Sequence, residues 1–415
     1  MSRLRFGRYD YACFFAFAAY AFSSLVIPLT IVEIGNALSF PLDAGGMGTG
    51  GFLHICRSAT MVVLLLSCGA IANVLGKRIS MGLAMLVMGG GIVLCSLAGS
   101  YWMVIPCVLI AGAGEGLCEG LATPFVNDLH VHEPAAYVNI AHSFWSVGTV
   151  ASVFFVGLLH TLGVHWRGIL ALCGLVAMAS AAGFLWRENP AARYPETPPE
   201  QRSGVWARSR PIMASWRFWL YCLCMLIGAG AEFGLTFWAA AYIQLNFHTG
   251  VWQGVLGTAA VGLGMFAGRY SYGRLVPQGR LLTLLLTASF AGVPVSLGLM
   301  LIRPDTFSAP LPGLCALYLL FFLSGLCVAP FWPSLQVYGV LRLPHLDSTM
   351  LYVYFSSVGI PGCGLFTWLM GFTGDHYGLR ASFLVAPAAM LLYGVLLLAD
   401  HCIGGQPRAA RSGRG

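Results

Sequence analysis

Apolar residues in this chain come in blocks of about 20, separated by short polar turns. An α-helix rises 1.5 Å per residue, so a block of that length crosses the hydrocarbon core of a bilayer. Twelve blocks can be read: 11–34, 48–70, 79–98, 101–123, 137–160, 167–186, 216–242, 250–273, 281–302, 311–333, 348–371 and 379–399. Lipid supplies no water to backbone groups, so isolated apolar blocks satisfy their hydrogen bonds as helices. The longest polar interval, 187–215, is rich in Pro and Arg and separates six blocks from six. Its Pro190, Pro195, Pro198 and Pro199 argue against a long helix there. The pattern predicts an all-α membrane protein: a six-helix bundle over 1–187, a cytoplasmic linker over 188–215, a second bundle over 216–400 and a basic tail over 401–415.

Composition removes the alternatives. Of 415 residues, 58% are hydrophobic and 9% charged, and the mean hydropathy is +0.78. A water-soluble globule carries about 25% charged residues. The net charge of +7 is small and scattered, which fits a loop bias better than nucleic-acid binding, and no DNA- or RNA-reading motif is present. Most of the 13 cysteines lie inside apolar blocks, where a buried free thiol is the simplest reading. The start, Met1 to Asp10, is basic and the block after it is too long for a cleavable signal, so it reads as a first membrane anchor. There is no Gly-x-x-x-x-Gly-Lys-Ser/Thr loop, and no nucleophile–base or metal constellation stands out. His130-x-His132-Glu133 resembles a metal cluster only superficially, because no further ligand is in view. No enzyme, metal or cofactor is expected.

Lys and Arg fall mainly in one set of turns. Arg3, Arg5, Arg8, Lys77, Arg78, Arg187, Arg274, Arg280 and Arg342 are on one side, and little beyond Arg167, Arg303 and Arg380 is on the other. By the positive-inside rule both termini are cytoplasmic. The turn after the fourth block is the exception, with Asp128 and Glu133 but no cation. The halves also look like repeats. Ser143-Phe-Trp-Ser-Val-Gly148 resembles Tyr354-Phe-Ser-Ser-Val-Gly359, each preceded by a proline-ended block. Six plus six helices in register predict two bundles around a central cavity.

Ionisable side chains inside such helices are expensive and mark a pathway or a site by default. Glu115 and Glu119 are one turn apart in the fourth block, roughly 20–27 Å from the outer edge. Asn139, His142 and Trp145 share a face of the fifth block, and the first two lie within about 10 Å of the inner edge. The two sets can meet at one depth. Two neighbouring carboxyls in low dielectric should not both ionise, which suits a proton carrier. Shifting the fifth block onto the eleventh puts Met350, Val353 and Ser356 opposite these three positions, so the amino-terminal half would hold the protonation machinery. In the seventh block, Glu232 and Thr236 could bond a solute's hydroxyls, and the rings of Trp238 and Tyr242 could stack on its apolar face. Trp332, Gln336, Tyr352 and Ser356 are candidate contacts from the second half. His54 and Arg57 could gate the outer mouth, attract an anion, or pair with Glu33.

The turn between the second and third blocks reads Gly69-Ala-Ile-Ala-Asn73-Val-Leu-Gly76-Lys77-Arg78. This is similar to the loop signature of the major facilitator superfamily, with Asn73 for its aspartate and Val74 for its arginine. The second half carries Gly268-Arg269-Tyr-Ser-Tyr-Gly273-Arg274 at the equivalent place. Glu119 followed by Pro124, then Asn139, His142 and Gly148, resembles the fucose permease branch of sugar:proton symporters. That resemblance makes Glu119 the coupling acid, puts His142 where the branch has an amide and Trp145 at a second substrate-facing position. The branch's aspartate in the first helix aligns with Ser24, which leaves Glu119, with Glu115, to carry the proton. It implies proton-coupled symport of a hexose or similar polyhydroxylated solute, by a monomer in a bacterial inner membrane. A drug or organic-anion exporter is the alternative, favoured if Arg57 faces the cavity. A non-transporting membrane sensor is a further one, though the chain shows no substantial soluble domain.

Overall fold

In a computed structural model, residues 5–130, 134–187, 193–195, 205–304, 306 and 310–404 are described. Twelve of the helices are long and apolar enough to cross a membrane. They are α1 (Arg8–Leu29), α2 (Met47–Leu75), α3 (Lys77–Leu97), α4 (Tyr101–Leu129), α5 (Pro134–Thr161), α6 (Trp166–Ser180, resuming as Ala182–Leu185), α7 (Trp216–Phe247), α8 (Val251–Leu275), α9 (Leu281–Leu301), α10 (Pro310–Val328, resuming as Pro333–Arg342), α11 (Ser348–Tyr377) and α12 (Leu379–Ser382, resuming as Val385–Gly404). Much of the linker and the tail past Gly404 lie outside the described residues. Within the linker, Val205–Met213 is a helix.

Several boundaries differ from those expected from hydropathy. The first block divides at Thr30, which caps back onto the Val26 carbonyl at 2.7 Å, two residues after Pro28. A separate helix, Ile31–Ala37, then carries Glu33. The tenth block breaks over Ala329-Pro330-Phe331-Trp332, where Pro330 and Pro333 remove two backbone donors. Helices α2, α4 and α11 run five or six residues past the expected block ends, to Leu75, Leu129 and Tyr377, because a helix need not stop where lipid does.

The packing repeats. In the first half α1 packs on α5 and α6, α2 on α4, and α3 on α4 and α6. In the second half α7 packs on α11 and α12, α8 on α10, and α9 on α10 and α12. Every one of these pairs recurs six helices later. Between the halves, α2 meets α11 and α8 meets α5, which are again counterparts, and α1 meets α7. An even number of crossings puts both termini at one end, here the terminal end; the opposite one is the distal end.

The contacts between halves lie toward the distal end. On α2 and α11 they run from Met47 and Asp375 to Ser58 and Gly364. On α5 and α8 they run from Gly157 and Trp252 to Thr149 and Gly262. Past these points Ile360 of α11 belongs to a cluster made otherwise of first-half and linker residues, and Trp332 packs against it. Two apolar clusters support this arrangement, and Trp145 and Trp332 are packed against both.

Candidate functional site

Glycines place the first charges. Gly112 and Gly116 of α4 lie so close to the backbone of α2 that any side chain would collide with the carbonyls of Arg57 and Met61. Small residues at this spacing let helices touch backbone to backbone. The result sets Glu115 beside Arg57. Arg57 Nε donates to Glu115 Oε2 at 2.7 Å, and Nη2 donates to Oε1. Ser23 donates its hydroxyl to the same Oε1 at 2.7 Å. Arg57 also donates to the carbonyl and the hydroxyl of Ser24, each at 3.0 Å. Glu115 is wholly buried and Arg57 nearly so.

This corrects two expectations. Arg57 is turned into its own half rather than toward the outer mouth, and its acid is Glu115, not Glu33. Glu33 lies 3.7 Å from His160. Proton sharing between Glu115 and Glu119 has no geometric support either, since both oxygens of Glu115 are already engaged. Ser24, standing where an aspartate was expected, supplies acceptors to the guanidinium but no second negative charge.

Glu119 is different. It is half-buried, and among the described residues its carboxylate has no hydrogen-bond or ion-pair partner. Its charge reaches Tyr20 on α1 and Cys363 on α11, so it lies within electrostatic range of both halves. On the next helix, His142 bonds Thr123 through Nε2 at 2.9 Å and rests against the ring of Phe17 at 4.5 Å. Trp145 is half-buried one turn further on. The side chain of Asn139 lies outside the described residues.

From the second half, Arg269 of α8 donates Nη2 to Glu232 Oε1 of α7 at 2.6 Å, and its Nε reaches the Ala329 carbonyl at the α10 break. Glu232 Oε2 is buried without a partner among the described residues. The Arg269 side chain is 29% exposed, and its charge reaches His142 of the first half. Sequence reasoning took Arg269 for part of a loop signature. The signal that could have found it is its position in α8, six residues before the helix ends at Leu275, where a cation in an apolar helix needs an acid. Glu232 lies sixteen residues after the first residue of α7 (232 − 216), as Ser24 does after that of α1 (24 − 8). Where α1 offers the Ser24 hydroxyl to Arg57 of the next helix, α7 offers the Glu232 carboxylate to Arg269 of the next.

Other expected contacts are directed elsewhere. Trp238 is fully buried and donates Nε1 to the Thr367 carbonyl at 2.9 Å. Tyr242 is fully buried and donates to the Leu299 carbonyl at 2.7 Å. Thr236 is buried and bonds the Glu232 carbonyl one turn back, at 2.9 Å. All three make these bonds within the second bundle, to α7, α11 and α9. Trp332 stays half-buried at the α10 break, and Tyr352 is exposed. Gln336 and Ser356 bond each other at 3.0 Å. His54 is buried and stacked on Phe233 of α7. A shallow surface depression on α9, lined by Thr283, Leu286, Thr287, Phe290 and Ala291, is apolar and contains none of these charges.

Residues 12–309 match the family model of the Major Facilitator Superfamily. The chain belongs to that superfamily. Among solved structures it is similar to a D-xylose–proton symporter, with a TM-score of 0.75 and 12% identity over 94% of this chain and 96% of that one. It is similar to a bacterial homologue of the human lysosomal transporter Spinster in an inward-facing, occupied conformation, with a TM-score of 0.71 and 14% identity over 94% and 96%. It is also similar to the E. coli fucose:proton symporter, with a TM-score of 0.60 and 16% identity over 94% and 98%. Identities this low carry the fold alone. No curated protein matches the chain.

This Major Facilitator Superfamily member is thus a membrane transporter and not an enzyme. Its loop signature is displayed between α2 and α3. Gly69 and Asn73 face open surroundings, and Gly76 turns the chain at φ +82°. Lys77 pairs with Asp128 at 2.6 Å, and Tyr194 donates to the same carboxylate at 2.9 Å. Arg78 donates to the Phe184 carbonyl. The acid in a turn without cations is therefore the partner of Lys77 across the terminal end. His130 pairs with Asp10 at 2.6 Å. His132 and Glu133 lie outside the described residues, and no cluster of metal-ligating side chains occurs among those described.

Proposed function

We propose that this transporter couples the movement of a hexose or similar polyhydroxylated solute to that of a proton, by alternating access of one site between its two bundles. The observation that carries the reading is the contrast between two acids on one helix. Arg57 neutralises Glu115 inside its bundle, while Glu119 has no partner among the described residues and lies within electrostatic range of both halves. A carboxyl that can take up a proton without breaking an ion pair, at the boundary of two moving bodies, is placed to be the coupling acid. His142 with Thr123, and Arg269 with Glu232, offer paired donors and acceptors of the kind that vicinal hydroxyls match. Trp145 and Trp332 offer aromatic faces at the junction of both clusters.

In the proposed cycle, Glu119 takes a proton, solute binds between α4, α5, α7 and α8, and both leave toward the terminal end. The Lys and Arg bias supports a cytoplasmic terminal end, and the proposal takes the protein as a monomer in a bacterial inner membrane. The organic-anion reading depended on Arg57 facing the cavity, and Arg57 is committed to Glu115.

Uptake of labelled hexoses into proteoliposomes, with and without an imposed pH gradient, tests the proposal. A one-unit gradient should drive about tenfold accumulation at one proton per solute, and Glu119→Gln should abolish that gain. Accumulation that is independent of the gradient and unchanged in the variant would overturn the coupling mechanism.

A further inference from the structure

The strip where α2 meets α11 closes the distal side by two opposing devices. At its rim, Asp375 of α11 accepts from the backbone N–H of Met47 at 2.8 Å and of Gly48 at 2.7 Å. These belong to the first turn of α2, whose N–H groups have no partner inside the helix. The residue before α2 is Gly46, which has no side chain to cap with. The helix is capped instead by an acid from the other half, through charge-assisted bonds at its positive end. A methyl group at Gly48 would lie 2.9 Å from Asp375 Oδ2, so the fit needs glycine there.

Below the rim the strip is unusual for a sealed interface. Gly51 lies against Trp368, and Gly364 against Ser58, so the backbones nearly touch. Yet among the described residues His54 Nε2, Ser58 Oγ and Thr367 Oγ1 are buried without hydrogen-bond partners. The His54 ring is pressed flat on Phe233, with centroids 4.4 Å apart and planes 3° from parallel. A small void beside it is lined by Leu53, Arg57, Val108 and Phe237. Burying three polar groups unsatisfied disfavours this closed arrangement. His54 and Ser58 are one turn apart on a single face of α2, and the Thr367 carbonyl lies against Gly51 of the same helix.

We infer that this strip is the polar wall of an access path to the distal side, and that Asp375 is the latch that keeps it shut. When α2 and α11 separate, water or solute hydroxyls satisfy His54, Ser58 and Thr367. While they are joined, the two bonds to Asp375 offset what those groups lose. The inference holds whatever the solute and the coupling ion.

The test is chemical accessibility in lipid nanodiscs. Ser58→Cys and Thr367→Cys, each with and without Asp375→Asn, are reacted with a charged maleimide and read peptide by peptide by mass spectrometry. Loss of two charge-assisted bonds should raise labelling at both positions roughly tenfold. The native Cys173, buried within the first bundle, should not change and serves as the internal standard. Should Asp375→Asn not be recovered in folded form, Gly48→Ala displaces the same carboxylate and is read the same way. Unchanged labelling at 58 and 367, or an equal rise at Cys173, overturns the latch.

Discussion

Arg57 and Glu115 sit where neither could stay alone. The idealised penalty for placing a charge in low dielectric is recovered only when partners saturate it, and here Ser23 and Ser24 complete the set. Glu115→Gln should therefore leave an uncompensated guanidinium and lower stability by about 3–5 kcal/mol. Replacing both residues with Met should be far milder. Thermal unfolding in detergent, followed for the single and double variants, checks the comparison. Trp238 separates a structural role from a binding one. Its ring is sealed inside the second bundle, so Trp238→Phe should remove one hydrogen bond, about 1 kcal/mol, and leave the KM for uptake where it was. A tenfold rise in KM with unchanged melting would instead show that the ring touches solute.

At the level of helices, α4 holds the site together because it can approach α2. Gly116→Val would drive a branched side chain into the Met61 carbonyl, at a cost of about 1–3 kcal/mol. It should also spread the Arg57–Glu115 pair, which a lower yield of monodisperse protein and a lower melting temperature would reveal together. The existence of all twelve membrane helices was legible in the chain, because apolar run length is a local property. The α10 break was half-legible: Pro330 and Pro333 mark it, but hydropathy runs straight through. Which acid Arg57 meets was not legible, because α2 and α4 become neighbours only in the folded bundle. Trp238 and Tyr242 misled for a related reason. Their shared face is real, but a stripe of aromatics does not say whether it looks into a cavity or into a bundle.

Over the whole molecule, the helix contacts obey a twofold repeat while the charges do not. Glu119 has no counterpart acid on α10, and Arg269–Glu232 lies deeper toward the terminal end than Arg57 does. Two similar bodies bearing different charges can divide the work, one responding to protons and the other to solute. If so, Glu119→Gln should lose gradient-driven accumulation but keep counterflow, the exchange of internal for external hexose. Loss of both would mean that Glu119 binds solute instead. The Arg57–Glu115 pair has a further consequence, for how the chain is made. Its members are 58 residues apart, which at ordinary rates of synthesis separates them by roughly 3–12 s. Throughout that interval α2 carries a cation into the membrane before its acid exists, at roughly 2.5–3.5 kcal/mol on insertion scales. The newborn chain must therefore hold α1 and α2 at the insertion machinery until α4 arrives. A nascent chain stalled before Glu115 should be the one most readily degraded.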